Sequence, residues 1–106
     1  MATNQYHEPV DQLDDQAQDY ARMMQTMIEE AEAIDWYEQR IQATKDEQLR
    51  TTLRHAQEEE YEHFALALEW LIRRSPAWKK MLKKILFTKG DLVQVVEQAE
   101  KDEKAK

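Results

Sequence analysis

The sequence has 106 residues with no Cys, one Gly, two Pro, 35% charged residues and a formal net charge of -7. So few turn formers, with abundant Ala, Glu, Gln, Lys, Arg, Leu and Met, point to an all-α chain, and the absence of Cys excludes disulfides, thiolate zinc sites, iron–sulfur clusters and thiol catalysis. The acidic balance argues against nucleic acid or an anionic membrane surface as main partner but admits a cation, and so short a chain sits near the low end of self-sufficient cores, leaving room for help from a partner chain.

In chain order, residues 1–8 read as a flexible polar lead, residues 9–100 as a single helical domain and residues 101–106 (KDEKAK) as a flexible tail. Pro9 suits a first helical turn, because it has no N–H to lose there. From Val10 to about Ala43 nothing breaks a helix. Thr44, Lys45 and Asp46 form the turn, with Thr44 or Asp46 available as N-cap, and a second helix runs to Arg74. Two long rods joined by a short turn make an antiparallel hairpin. Ser75-Pro76 opens a shorter helix to Phe87, Gly90 ends it, and Asp91 caps a last segment to about Glu100. No stretch approaches the roughly 18 consecutive apolar residues of a membrane span. MATNQYHEP lacks the apolar region of a signal peptide, so a cytoplasmic chain is the expectation.

Spacing of three and four residues keeps side chains on one seam of a helix. On the first helix it gives Leu13, Gln16, Tyr20, Met23, Met27, Glu30, Ile34, Tyr37 and Ile41. On the second it gives Leu49, Leu53, Ala56, Glu60, His63, Ala67 and Trp70. Acids and an imidazole interrupt these seams at Glu30, Glu60 and His63. A buried carboxylate without a partner costs several kcal/mol, and a metal cation would satisfy all three groups. Glu-x-x-His places carboxylate and imidazole one turn apart on one face; as a bare pattern it is weak, and its coincidence with a core seam opposite Glu30 strengthens it. A hydrogen-bonded Glu–His core pair is the competing reading.

A di-iron carboxylate bundle uses one Glu from each of two helices and a Glu-x-x-His from each of two others. This chain supplies half of each set. Two copies about a twofold axis would bring four carboxylates and two imidazoles to two metal ions, within a four-helix bundle. Oxygen and imidazole ligands suit iron or manganese, zinc competes for them, and calcium is a spectator ion that could occupy such a site.

The stretches IEEAEAIDWYEQR (Ile28 to Arg40), HAQEEEYEHFALALEWLIRR (His55 to Arg74) and LFTKG (Leu86 to Gly90) resemble the encapsulated ferritins, ferritin-like cargo proteins of encapsulin nanocompartments. The resemblance runs from about His7 to Gly90. It implies a ferritin-like bundle with ferroxidase activity, Fe2+ oxidised to Fe3+ at a di-iron site shared by two subunits, with two irons per subunit pair and Ca2+, Mn2+ or Zn2+ as substitutes. It further implies a homo-oligomer built as a ring of five dimers, an encapsulin shell partner and a place inside that nanocompartment.

By the same resemblance Glu30, Glu60 and His63 match the ferroxidase ligands and Tyr37 an aromatic beside the metals, although core packing explains Tyr37 equally well. Glu29 and Glu32 match a metal-uptake site, and His55, Glu59 and Glu62 an outer metal-binding position. Their own spacing reads as solvated helix faces. Trp36 is expected at a subunit contact. One departure is the end KDEKAK, which is not the apolar shell-docking peptide that separate cargo members carry. The competing functions are a non-enzymatic, metal-dependent helical assembly module and another di-metal carboxylate enzyme.

Overall fold

The computed structural model describes residues 5–105. Residues 1–4 of the expected lead and Lys106 of the expected tail therefore lie outside the described residues. The rest form a 3-10 turn, Val10–Gln12, and four α-helices: α1 (Asp15–Ala43), α2 (Glu47–Arg74), α3 (Pro76–Ile85) and α4 (Leu92–Ala105). The all-α expectation and the order of long hairpin followed by short helices match this architecture. The chain divides into two compact units, one ending at Leu71 and the other beginning at Ile72. No helix among the described residues is long and apolar enough to cross a membrane.

Each helix start has a side-chain acceptor where the first N–H groups lack intrahelical partners. The Asp14 carboxylate accepts from the Ala17 N–H at 2.8 Å, Asp46 from Leu49 at 2.9 Å and Asp91 from Gln94 at 3.1 Å. Ser75 accepts from Trp78 at 3.5 Å, with Pro76 in the first turn. Asp46, rather than Thr44, is thus the cap of α2.

Three boundaries differ from the expectation. The first helix does not run unbroken from Val10, because Leu13 and Asp14 are extended and Asp14 spends its side chain on the cap of a new helix. Gln18 holds this break by donating to the Leu13 carbonyl at 2.9 Å. At the other end α3 stops at Ile85, short of Phe87, which has a left-handed φ of 62°. Gly90, also left-handed at 95°, supplies the second bend of that link. The last helix continues past Glu100 to Ala105.

In the first unit, polar ties record an antiparallel register. Arg50 Nε donates to the Ile41 carbonyl at 3.2 Å, and Gln57 Nε2 donates to the Ile34 carbonyl at 3.2 Å. As the position on α2 advances by seven, its partner on α1 retreats by seven. Arg50 also donates to the Thr44 carbonyl and pairs with Glu47, so one guanidinium satisfies carbonyls that the end of α1 leaves open. Replacing Arg50 with Ala is expected to destabilise the hairpin by about 1–2 kcal/mol, with little recovery in Arg50→Lys because one ammonium cannot reproduce the fork. Urea unfolding midpoints measure this, and an unchanged midpoint in the Ala variant would count against the role.

The apolar residues fully enclosed are few: Ile41 and Leu71 at 0% exposure and Ala67 at 3%. Ile28, Trp36, Tyr61 and Leu66 remain exposed on the same two helices. That is a small core for two rods of nearly thirty residues each.

In the second unit, Lys80 and Lys84 of α3 hold Glu103 of α4 at 2.5 and 2.7 Å. Hydrogen bonds from Lys80 and then Lys84 draw the Glu103 carboxyl down from its ordinary 4.5 to about 2. A depressed carboxyl stabilises the fold above its unfolded pKa and loses that contribution as pH falls through the folded value. The α3–α4 pairing is therefore expected to survive at pH 4 and loosen near pH 2. Because the groups are exposed, ~1 M salt should also loosen it. Amide exchange of α4 reads both effects, and equal protection in Glu103→Gln would remove the ion pair from the account.

Candidate metal centre

Helix α2 turns a stripe of Leu53, Gln57, Glu60, Phe64, Ala67 and Leu71 inward, each buried or half-buried. It advances by four and three residues alternately, the spacing of one helix face. Glu60 lies on this stripe and His63 beside it. On α1, the half-buried Met23, Met27, Glu30, Ile34 and Tyr37 lead to the buried Ile41, whereas Gln16 and Tyr20, expected on the same seam, are exposed. On α2, Leu49 of the expected seam is exposed and Gln57 and Leu71, outside it, are buried. The helices meet on a face shifted by one residue from the one drawn through Ala56, His63 and Trp70.

The antiparallel register brings Glu30, Glu60 and His63 together, with one potential ligand atom from each lying within 4.8 Å of the others. Among the described residues this is the group of three or more acidic and histidine side chains arranged to hold an ion. His63 Nδ1 stands 3.6 Å from Glu30 Oε2 and 3.5 Å from Glu60 Oε2. Charge-assisted hydrogen bonds are shorter, about 2.7–2.9 Å. The spacing is instead compatible with donors around one ion, since metal–ligand bonds of about 2.0–2.2 Å hold adjacent donors roughly 3 Å or more apart.

Glu30 Oε2 is buried with no hydrogen-bond partner. An orphaned carboxylate oxygen is costly in a folded chain, and a cation beside it removes the cost. Oxygen and nitrogen donors without thiolate fit iron or manganese. The side chains of Glu30 and Glu60 are 20% and 21% exposed and that of His63 is 49% exposed, so the group opens on one side. Charge is concentrated here as well: 17 of the 22 acidic residues but five of the 15 lysines and arginines lie at or before Leu71. A cation approaching the hairpin meets a far more acidic unit than the whole-chain charge conveys.

The other expected positions are not gathered into a comparable group. His55 Nε2 lies 3.2 Å from Glu59, both well exposed, and Glu62 is exposed. Glu29 is exposed and Glu32 half-buried. Tyr37 is half-buried beneath the Arg40 guanidinium, 5.6 Å from the ring centroid, a cation–π contact. Trp36 is 48% exposed in the single chain.

Gln57 is the buried polar residue that the seam reading passed over, as it passed over the apolar Leu71. Its amide donates to the Ile34 carbonyl at 3.2 Å and to Glu38 Oε1 at 3.1 Å, and Glu38 also accepts from Gln42 at 2.7 Å. The bonds from Gln42 and then Gln57 hold the Glu38 carboxyl below its ordinary range. The signal available in the sequence was the alternating spacing from Leu53 to Leu71, which Gln57 continues without a gap.

Residues 5–89 match the family model described as EncFtn-like. The chain is 43% identical over 95 residues to a "Ferritin-like protein" of Thermotoga maritima, covering 90% of this chain and 83% of that one. It is 38% identical over 95 residues to an "Encapsulated ferritin-like protein" of Rhodospirillum rubrum, covering 90% and 68% respectively. The crystal structure of protein ne0167 from Nitrosomonas europaea superposes with a TM-score of 0.79 at 44% identity, over 82% of this chain and 96% of that one. With its helical hairpin and its carboxylate–histidine group, the chain belongs to the EncFtn-like family of encapsulated ferritin-like proteins.

Proposed function

We propose that the chain is a ferroxidase whose di-iron site is completed by a second copy. The observation that carries this reading is the orphaned, buried Glu30 Oε2 facing Glu60 and a half-exposed His63. One copy offers two carboxylates and one imidazole, an incomplete set for two irons. A twofold-related copy doubles it to four carboxylates, which balance the charge of two Fe2+, and two imidazoles. The small core favours such an association, since the hairpin leaves Ile28, Trp36, Tyr61 and Leu66 exposed as apolar surface that a second copy would help to cover.

In this reading Fe2+ is the substrate. Glu30 and Glu60 bind and hold it, His63 completes each ion's coordination, and each Fe2+ gives one electron to a dioxygen-derived oxidant and leaves as Fe3+. The protein contributes fixed ligands and a partly closed site rather than a nucleophile. Tyr37 stands beside the shared site, Glu29 and Glu32 serve uptake, and His55, Glu59 and Glu62 form an outer binding position. Residues 9–100 act as one ferritin-like domain, and dimers assemble into a ring of five. The described hairpin has no mineral cavity of its own, so Fe3+ passes to mineral inside a cytoplasmic encapsulin compartment.

Native mass spectrometry of anaerobic protein titrated with Fe2+, followed by admission of oxygen, tests the reading. Even-numbered assemblies holding two irons per pair of chains, with oxygen consumed, are the expected result. Metal-dependent assembly without oxygen consumption would instead establish an assembly module, and an iron-loaded monomer would refute the shared site.

A further inference from the structure

We infer that Gln57 is a positioning residue for the Glu30/Glu60/His63 group, clamping α2 against α1 in the register that brings the three side chains together. The inference rests on the metal reading of that group. Gln57 is 5% exposed, where an aliphatic side chain would fill the space without hydrogen-bonding demands. Its amide nitrogen reaches two acceptors on the opposite helix, the Ile34 carbonyl and Glu38 Oε1.

The clamp is adjacent to the site on both helices. Gln57 precedes Glu60 by three residues, and Ile34 follows Glu30 by four, one turn in each case. Glu38 is itself steadied by Gln42, so the acceptor is not a free rotor. Apolar packing between two helices is non-directional and tolerates sliding, whereas a bond to one particular carbonyl does not. A buried polar residue that fixes helix register at some cost in stability is the best-attested use of such groups. A slip of one residue would move each donor by about 1.5 Å along the axis and swing it by roughly 100°, while coordination tolerates about 0.5 Å. Arg50 ties the helices near the turn, and Gln57 ties them two turns nearer the site.

Three variants test the role: Gln57→Leu, Gln57→Glu, and Gln57→Glu combined with Glu38→Gln. Anaerobic Co2+ binding is followed by visible absorption. Register is followed without metal, by pulsed EPR between nitroxides at the exposed Asp35 and Glu58 positions, diluted with unlabelled chain. Gln57→Leu is expected to keep its helical circular dichroism, weaken Co2+ binding at least tenfold and broaden the distance distribution. Gln57→Glu should weaken binding further, because it sets carboxylate against carboxylate. The double variant should regain part of the affinity lost in Gln57→Glu and narrow the distribution relative to it, since the introduced carboxylate accepts from the introduced amide, while the bond to the Ile34 carbonyl stays lost because a carboxylate has no N–H to donate. Parental Co2+ affinity and an unbroadened distance in Gln57→Leu would overturn the positioning role while leaving the metal site intact. A parent chain that binds no Co2+ overturns the metal reading and with it the function assigned to the clamp, a result the metal-free distance measurement keeps separate from loss of register.

Discussion

Replacing His63 or Glu60 with Ala is expected to lower the initial rate of aerobic Fe2+ oxidation by on the order of 100-fold or more. Changes that merely reorient a metal ligand cost about 10- to 100-fold, and these remove the donor itself. In a site completed by a second copy, each substitution is also made twice. A loss of 100-fold corresponds to about 2.7 kcal/mol of barrier, which is reasonable for deleting paired donors from a small site. Folding should be little affected, because His63 is 49% exposed in the hairpin and its Nδ1 lies beyond ordinary charge-assisted hydrogen-bond length from both carboxylates. Glu58→Ala, an exposed acid on the same helix, supplies the control for general loss of negative charge. Rates within twofold of the parent in both ligand variants would end the ferroxidase assignment to this group.

The three candidate ligands were legible in the sequence because charge on an otherwise apolar seam is expensive and therefore informative. Glu30 and Glu60 are as enclosed as that reasoning requires. His63 is less so, because it stands at the edge of the face that α2 packs against α1, near enough to reach Glu30 but half open to solvent, and spacing alone cannot tell the centre of a packed face from its edge. Gln57 and Leu71 were missed for a related reason: two interleaved stripes with the same spacing run along α2, and only packing against α1 selects between them. Caps at Ser75 and Asp91 followed from local chemistry and could be read directly, whereas at the start of α2 the sequence left Thr44 and Asp46 as alternatives and the bond from the Leu49 N–H selects Asp46. The break at Leu13 and Asp14 could not, because Pro9 and Asp14 are both good helix openers and the choice between them depends on Gln18 reaching back to the Leu13 carbonyl. Phe87 in a left-handed conformation is beyond a propensity argument, since a bulky residue disfavours that region and only the surrounding link imposes it.

Glu30→Gln is expected to reverse the order of stability between the metal-free and metal-loaded states. Without metal, the parent chain holds Glu30 Oε2 buried and unbonded, near a second carboxylate at Glu60. The amide retains the shape, removes the like-charge contact and offers N–H donors to Glu60. An unsatisfied buried group costs about 1–3 kcal/mol, and because the Glu30 side chain keeps 20% exposure the gain belongs at the lower end, about 1 kcal/mol. For a domain of this size that is roughly 4–8 °C in melting temperature. With metal the sign changes. A ligand at 100 times its dissociation constant stabilises the native state by about 2.7 kcal/mol, and the variant forfeits most of this because a neutral amide is a poor replacement for a carboxylate at a hard cation. Anaerobic thermal melts with and without Mn2+ or Co2+ should therefore show the variant melting above the parent in chelator and below it in metal. If the variant melted lower in chelator and kept the metal-induced shift, Glu30 would be a structural acceptor and not a ligand. The expected reversal follows from one physical trade: a carboxylate poised for a cation is a strained neighbour until the cation arrives, so the feature that weakens the empty hairpin is the one that binds the substrate.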